Sequence, residues 1–257
     1  MDVWILLLVG GAAAGLFGSL LGLGGGILLV PFLTLVVGLP LREAVGVSLV
    51  VVIASSGTAA AVFLERKVAD LRLGMSLELF SAAGALVGAL VAFLISEQLL
   101  AAAFASLLVY SAISMLRPGR AVPAATSEPS GGYEIRNVGR GKVASVGAGM
   151  VAALLGVGGG LINVPVMHLA MGVPFRVATA TSNMMIGVTA SAAAVVYLAR
   201  GGIDPYVAGP VALAVFGGAS IGARVADRIE VGHLRIVFVG VLLFGAILMI
   251  RRALGVA

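Results

Sequence analysis

The sequence predicts an all-α, polytopic membrane protein built from two homologous repeats of about four apolar segments each, the first segment of each repeat being broken at a glycine-rich motif. Three observations predict it. The chain is 61% hydrophobic and 11% charged, far less charge than a soluble domain of 257 residues carries. Stretches of roughly 20 residues, such as 44–64 and 178–199, hold no charge at all and are long enough to cross ~30 Å of hydrocarbon. Finally, the chain says nearly the same thing twice. One fixed offset carries Gly22, Gly24, Gly25, Gly26 and Pro31 onto Gly156, Gly158, Gly159, Gly160 and Pro165.

The duplication sets the domain organisation. G-L-G-G-G-I-L-L-V-P in the first half answers G-V-G-G-G-L-I-N-V-P in the second. Matches continue at the same offset: Pro40 and Arg42 with Pro174 and Arg176, Ser48 with Ser182, Asp70 with Asp204, and Gly84 and Gly88 with Gly218 and Gly222. Residues 1–117 form membrane repeat 1 and residues 143–257 form membrane repeat 2. Between them, 118–142 is rich in Pro, Ser, Gly and charge and reads as an exposed basic linker.

Each repeat divides into segments A to D. Segment A covers 3–38 and 143–172 and carries the glycine break. Segment B covers 44–64 and 178–199, segment C 74–94 and 206–226, and segment D 98–116 and 233–250. Topology turns on segment A. In the second repeat it is two apolar arms of roughly 13 residues, and an arm of ~20 Å is too short to span a bilayer. Folded back on each other, the arms make a re-entrant hairpin; each repeat then crosses three times and the repeats are inverted. If segment A crosses once, each repeat crosses four times and the repeats are parallel. Positive charge favours inversion. In repeat 1 the B–C loop holds Arg66, Lys67 and Arg72, whereas in repeat 2 the C–D region holds Arg224, Arg228 and Arg235. That swap is what opposite orientations need, although Arg251 and Arg252 oppose it.

Composition excludes several functions. The net charge of +5 has no basic run interleaved with aromatics, so it reflects loop bias and not a nucleic-acid surface. The absence of cysteine removes disulfides and thiolate metal sites. G-x-G-G-G opens no βαβ unit, no P-loop Lys-Ser/Thr follows it, and His168 and His233 form no H-E-x-x-H. The protein is therefore read as no enzyme, with no cofactor and no metal. The N-terminus lacks the basic region of a cleaved signal, so the first apolar stretch is expected to be structural.

The candidate site is the pair of breaks. Bare backbone is intolerable in lipid, so a broken helix must be buried in protein or line a wet cavity. Glycine lets a ligand approach the backbone, and a helix starting near Gly26 or Gly160 presents free N–H groups to an anion. The substrate-binding candidates are Gly24, Gly25, Gly26, Gly158, Gly159 and Gly160, joined by Ser48, Asn163, Ser182 and Asn183, whose hydroxyls and amides can hold anionic oxygens. Capping and interhelical bonding explain the polar residues equally well. Asn163 stands where repeat 1 has Leu29, and His168 where it has Thr34, which suits a site specialised on one side. His168 reads as a boundary residue, Pro31 and Pro165 as kinks that shape the cavity, and the Gly84 and Gly218 motifs as close helix contacts. Arg42 and Arg176 read as anchors at helix starts. Glu78, Asp227 and Glu230 sit near segment ends, so no acidic proton relay is expected.

The doubled motif, followed by G-L-P or G-V-P and then by A-V-G-V-S or A-T-A-T-S-N, resembles the sulfite exporter TauE/SafE permeases over nearly the whole chain. The resemblance implies a multi-pass permease of the cytoplasmic membrane for a sulfur-containing anion such as sulfite, sulfoacetate, another organosulfonate or thiosulfate. The resulting reading is a secondary transporter with alternating access around a site between the broken segments. An anion channel and a non-transporting membrane assembly protein are the alternatives. The expected partners are a small anionic substrate and the lipid bilayer, with nucleic acid excluded and a homodimer allowed.

Overall fold

The structure, a computed structural model, describes residues 3–20, 25–65, 69–116, 135–225 and 231–255. These residues form ten helices and no strand. In repeat 1 they are α1 (Val3–Leu20), α2 (Gly26–Leu35), α3 (Leu41–Glu65), α4 (Leu71–Leu94) and α5 (Glu97–Leu116). Repeat 2 follows with α6 (Val138–Leu155), α7 (Gly160–Pro165) running into a π-helical turn at Val166–Ala170, then α8 (Phe175–Ala199), α9 (Pro205–Val225) and α10 (Val231–Ala253). Segment A is two helices in both repeats. The second one starts earlier than the sequence suggests: α6 begins at Val138, inside the stretch read as linker.

Each pair of segment-A helices is a hairpin. A Cβ placed on Gly25, at the start of α2, would lie 3.5 Å from the Ala14 carbonyl of α1, while one on Gly10 would strike the Phe32 ring. The two contacts run in opposite order along the chain, so α1 and α2 are antiparallel. The second hairpin is closed at its base, where Arg136 N–H donates to Met171 O at 3.0 Å and Asn137 Nδ2 donates to Ala170 O at 3.2 Å. Among the described residues, α4, α5, α6, α8 and α9 contain five windows long and apolar enough to cross a membrane. By contrast α2, at 10 residues, is ~15 Å long and cannot.

The matched helices pair head to tail. Gly46, early in α3, lies against the Gly202 carbonyl just beyond α8, and Ser56 further along lies against Gly187. On α5, Glu97 meets Arg252 near the end of α10 at 3.6 Å, and Leu108 meets Gly245. Segments B and D therefore each pack antiparallel to their own counterparts, which is the relation inverted repeats require. The most extensive of the other contacts also cross between repeats: α1 packs on α9, and α4 on α6 and α8.

Small residues make these crossings possible. A Cβ at Gly84 would strike Val146 O, one at Gly88 would strike Met150 O, and one at Gly149 would strike Ser81 O. The mirror crossing repeats the device, with Gly15 against Val215 O and Gly218 against Ala12 O. Lipid gives helices no hydrophobic reason to associate, so close backbone approach supplies the packing. Large apolar side chains point the other way. The matched residues Leu79 and Leu213 are 72% and 74% exposed, on faces that only hydrocarbon can cover. On α4 the buried face is mostly small, with Gly74, Ser81, Gly84, Ala85, Gly88, Ala89 and Ala92.

Polar residues at the helix ends are accounted for. Asp70 accepts from Leu73 N at 2.9 Å, and its counterpart Asp204 accepts from Tyr206 N at 2.9 Å, so the matched aspartates are matched caps. Arg42 at the start of α3 donates Nε to Ala92 O at 3.0 Å and a terminal nitrogen to Ile95 O, satisfying the last carbonyls of α4. It is an anchor, as its position suggests. The side chain of Arg176 lies outside the described residues.

The glycine crossings predict a position-specific effect. Gly84→Ala and Gly218→Ala are each expected to cost about 1–3 kcal/mol by overpacking. Gly147→Ala and Gly217→Ala, which have open space around them, are expected to leave the melting temperature in detergent unchanged.

Candidate functional site

The two hairpins meet at their breaks. A Cβ on Gly26 would lie 2.7 Å from the carbonyl of Gly156, so the two glycine motifs are in direct backbone contact. Gly156 closes α6 with a left-handed conformation (φ 65°), its N–H returning to Ala152 O, a geometry that glycine adopts without strain. Gly25 opens α2 with φ 69°. Around them stand α3 and α8, with Val52 beside Gly26 and Gly158, and Ile186 beside Gly158 and Gly160. Val52 and Ile186 lie within one residue of the middle of their 25-residue helices, which puts the breaks at mid-depth. Gly24 lies outside the described residues.

Ser48 holds the breaks together. Its Oγ donates to Gly156 O at 2.6 Å and lies 3.4 Å from Gly26 O. A hydroxyl has one proton, so the short contact is the bond and the longer one is marginal. Ser48 thus satisfies an orphan carbonyl at the end of α6, and its proton is committed to that. Asn183 is also committed, but within its own helix, donating Nδ2 to Thr179 O at 3.0 Å.

Asn163 and Ser182 are different. Both are 1% exposed, yet neither polar atom of the Asn163 side chain has a hydrogen-bond partner, and neither does Ser182 Oγ. A buried polar group left unpaired costs about 1–3 kcal/mol. Both cluster at the second break. The direction of a Gly159 Cβ points at Asn163 Nδ2, 3.0 Å away, and at Ser81 Oγ, 3.8 Å away, while a Gly160 Cβ would lie 3.4 Å from Ser182 Oγ. The Asn163 amide and the Ser81 hydroxyl therefore border the break on the Gly159 side, and the Ser182 hydroxyl borders it on the Gly160 side.

Among the described residues the first break has no such cluster. The site beside Gly25 that corresponds to Ser81 is filled by Val215 Cγ1 at 3.7 Å. Asn163 is answered by Leu29 and Ser81 by Val215. The asymmetry seen at Asn163 therefore extends to residues on other helices. A pocket beside Gly158 is lined wholly by apolar residues, among them Leu107, Val151, Leu161 and Ile162, and offers no polar partner.

Sequence reasoning missed three members of this region and misplaced one of them. Glu78 is not at a segment end. It lies in α4, 9% exposed, and its Oε1 accepts from Thr189 Oγ1 at 2.9 Å. Thr189 is two residues from the middle of α8 and lies 3.0 Å from Ser81 Oγ. A buried acidic group therefore does stand inside α4, two turns from its start and bonded to a residue near the middle of α8, contrary to the expectation from segment boundaries. The available signal was the repeat comparison, in which Glu78 and Ser81 oppose Ala212 and Val215. Asp227 and Glu230 lie outside the described residues. His168 is a boundary residue as expected, with Nδ1 2.9 Å from Val173 O and its ring edge-on to Phe175. Pro31 packs toward Gly245, and Pro165 immediately precedes the π turn, consistent with shaping roles.

Comparison with known proteins gives one family. The family described as "Sulfite exporter TauE/SafE" matches residues 7–249. A Bacillus subtilis protein described as "Probable membrane transporter protein YunE" is 29% identical over 265 residues, covering 92% of this chain and 94% of its own. A Methanocaldococcus jannaschii protein described as "Probable membrane transporter protein MJ0441" is 29% identical over 257 residues, covering 92% and 91%. No solved structure matches the chain at a significant level.

The matched serines predict opposite responses. Ser48→Ala orphans the Gly156 carbonyl and is expected to lower stability by about 1–3 kcal/mol. Ser182→Ala removes an unpartnered hydroxyl and is expected to leave stability unchanged or slightly raised. Thermal unfolding of the two variants in the same detergent distinguishes them.

Proposed function

The chain belongs to the sulfite exporter TauE/SafE family, and from that premise we propose that it is a secondary transporter for a sulfur-containing anion, sulfite or an organosulfonate, held where the two broken hairpins meet. It is a multi-pass protein of the cell membrane and a transporter, not an enzyme. The observation that carries the substrate reading is the set of buried, unpartnered donors at the second break. Asn163 Nδ2 and Ser182 Oγ have hydrogens to give and no protein acceptor for them. Sulfite and sulfonate head groups present several acceptor oxygens on one centre and can take bonds from several directions at once. Neutral donors suit a transported ion, because they hold the anion without a fixed cation that would make release slow.

The breaks supply the rest of the site. Gly26 brings the first hairpin against Gly156, Gly158 and Gly160 let the second break pack against Ile186, and Gly159 places no side chain beside Asn163. A Cβ-bearing residue at Gly159 would fill the space that Asn163 and Ser81 share. In this reading the anion binds there, and access alternates between the two faces of the membrane by relative movement of packed helices around the breaks.

Uptake into proteoliposomes tests the reading, with radiolabelled sulfite, thiosulfate and sulfoacetate as probes. Gly25→Leu and Gly159→Leu are expected to abolish uptake while the protein still inserts. Asn163→Leu, which installs the residue of repeat 1, is expected to reduce uptake at least ten-fold. That variant should melt no lower than wild type, because leucine removes an unsatisfied amide. Undiminished uptake by all three variants would overturn the proposal.

A further inference from the structure

The anion reading leaves one buried group unused. Glu78 Oε1 accepts from Thr189 Oγ1 at 2.9 Å, Thr189 Oγ1 is 3.0 Å from Ser81 Oγ, and Ser81 Oγ borders the space beside Gly159 and Asn163. Two hydroxyls in series thus join a carboxyl to the proposed anion position. The second carboxyl oxygen, Oε2, is buried with no hydrogen-bond partner.

No cation among the described side chains pairs with it. On α6, Lys142 sits over the Phe80 ring at 5.3 Å and Arg140 is exposed. On α8, Arg200 sits over the Phe93 ring at 5.9 Å, and Tyr197 donates its hydroxyl to Ala153 O at 3.2 Å. The side chain of Arg176, also on α8, lies outside the described residues. Arg72 on α4 itself is exposed, and His168 on the π turn is bonded to Val173 O. Thr189 is the polar group that faces the carboxyl.

We propose that Glu78 couples anion movement to a proton, taking one up as the space beside Gly159 and Asn163 fills, so that proton and anion cross together. The inference rests on the anion reading above. Its first argument is charge. A carboxylate and an anion two hydroxyls apart, in a medium of low dielectric, repel strongly unless the carboxylate is neutralised. The second is the polarity of the hydroxyl chain. With Glu78 ionised, Thr189 donates to the carboxylate and Ser81 donates to Thr189. The Ser81 proton then points away from the anion position. With Glu78 protonated, its O–H can donate to Thr189, Thr189 to Ser81, and the Ser81 proton is released toward the anion. One proton on Glu78 therefore turns Ser81 from an acceptor into a donor beside Asn163. The proton comes from water on the side where the site is open and returns to water on the other side when the anion leaves. Glu78 acts through Thr189 and Ser81 and does not itself touch the anion.

Thiosulfate and sulfoacetate remain ionised through the neutral range, so a pH effect on their transport reports on the protein. Wild type and Glu78→Gln are reconstituted in proteoliposomes with the membrane potential clamped at zero. Counterflow exchange and accumulation under an inside-alkaline gradient are measured for each. With one proton per anion, a gradient of about one pH unit sustains roughly ten-fold accumulation. Wild type is expected to approach that value. Glu78→Gln is expected to exchange anion but accumulate none. Gradient-driven accumulation by Glu78→Gln overturns the proposal. Wild-type exchange that ignores the gradient also overturns it, leaving the anion reading intact. Wild-type exchange of neither these two anions nor sulfite overturns both. If Glu78→Gln loses exchange as well, Glu78→Asp decides: retained accumulation supports a titrating carboxyl at this position, and its loss with exchange preserved overturns it.

Discussion

A helix interrupted at lipid depth exposes backbone groups that hydrocarbon cannot solvate, and the arrangement of the other helices follows from shielding two such interruptions. The shield is built from backbone and hydroxyls more than from large side chains. Ser48 gives its proton to the last carbonyl before the second break, and the two breaks lean on one another through Gly26 and Gly156. The helices α3 and α8 wall the junction, and glycine seams at Gly84, Gly149, Gly15 and Gly218 draw α4, α6, α1 and α9 together. Bulk in those seams would open a path for lipid to reach unsatisfied backbone.

Within that shield the two breaks have diverged. Among the described residues of the first, Val215 fills the place that Ser81 takes at the second and Leu29 stands in the place of Asn163, and the hydroxyl there, Ser48, is committed to a carbonyl. The second tolerates an amide with neither end bonded and a hydroxyl with no acceptor. Such groups reduce stability, and their concentration at one of two equivalent positions is the pattern expected where function overrides packing. In the proposed reading the first break supplies the scaffold and the second the chemistry.

Much of the architecture was legible in the sequence because its causes are local. Charge-free stretches of spanning length mark the helices and the doubled glycines mark the breaks, but the first arm of segment A is longer than the roughly 13 residues read in the second repeat: α6 has 18 and is long and apolar enough to cross a membrane. The start of α6 was not legible. Gly139, Arg140, Gly141 and Lys142 look like linker by composition, and it is the tertiary bond of Arg136 to Met171 that ties this stretch to the hairpin base. The site was legible only in part. Asn163 and Ser182 stand out as polar residues near a break, but nothing in the chain distinguishes Ser48, committed to a carbonyl, from Ser182, committed to nothing. Glu78 was misplaced because segment boundaries ignore what lies opposite. Its hydrogen-bond partner is Thr189, more than a hundred residues away, and only folding brings them together.

The crossings between α1 and α9 and between α4 and α6 have a consequence for movement. Helices that touch backbone to backbone through glycine have no side-chain layer in which to slide, so each crossing travels as one body. Each of those bodies takes one helix from either half of the duplicated chain. The two halves are woven through each other and cannot rock apart as halves. Any motion that opens the junction must divide the molecule along a line that cuts across its own gene duplication, carrying the first hairpin with segment C of the second half and the second hairpin with segment C of the first.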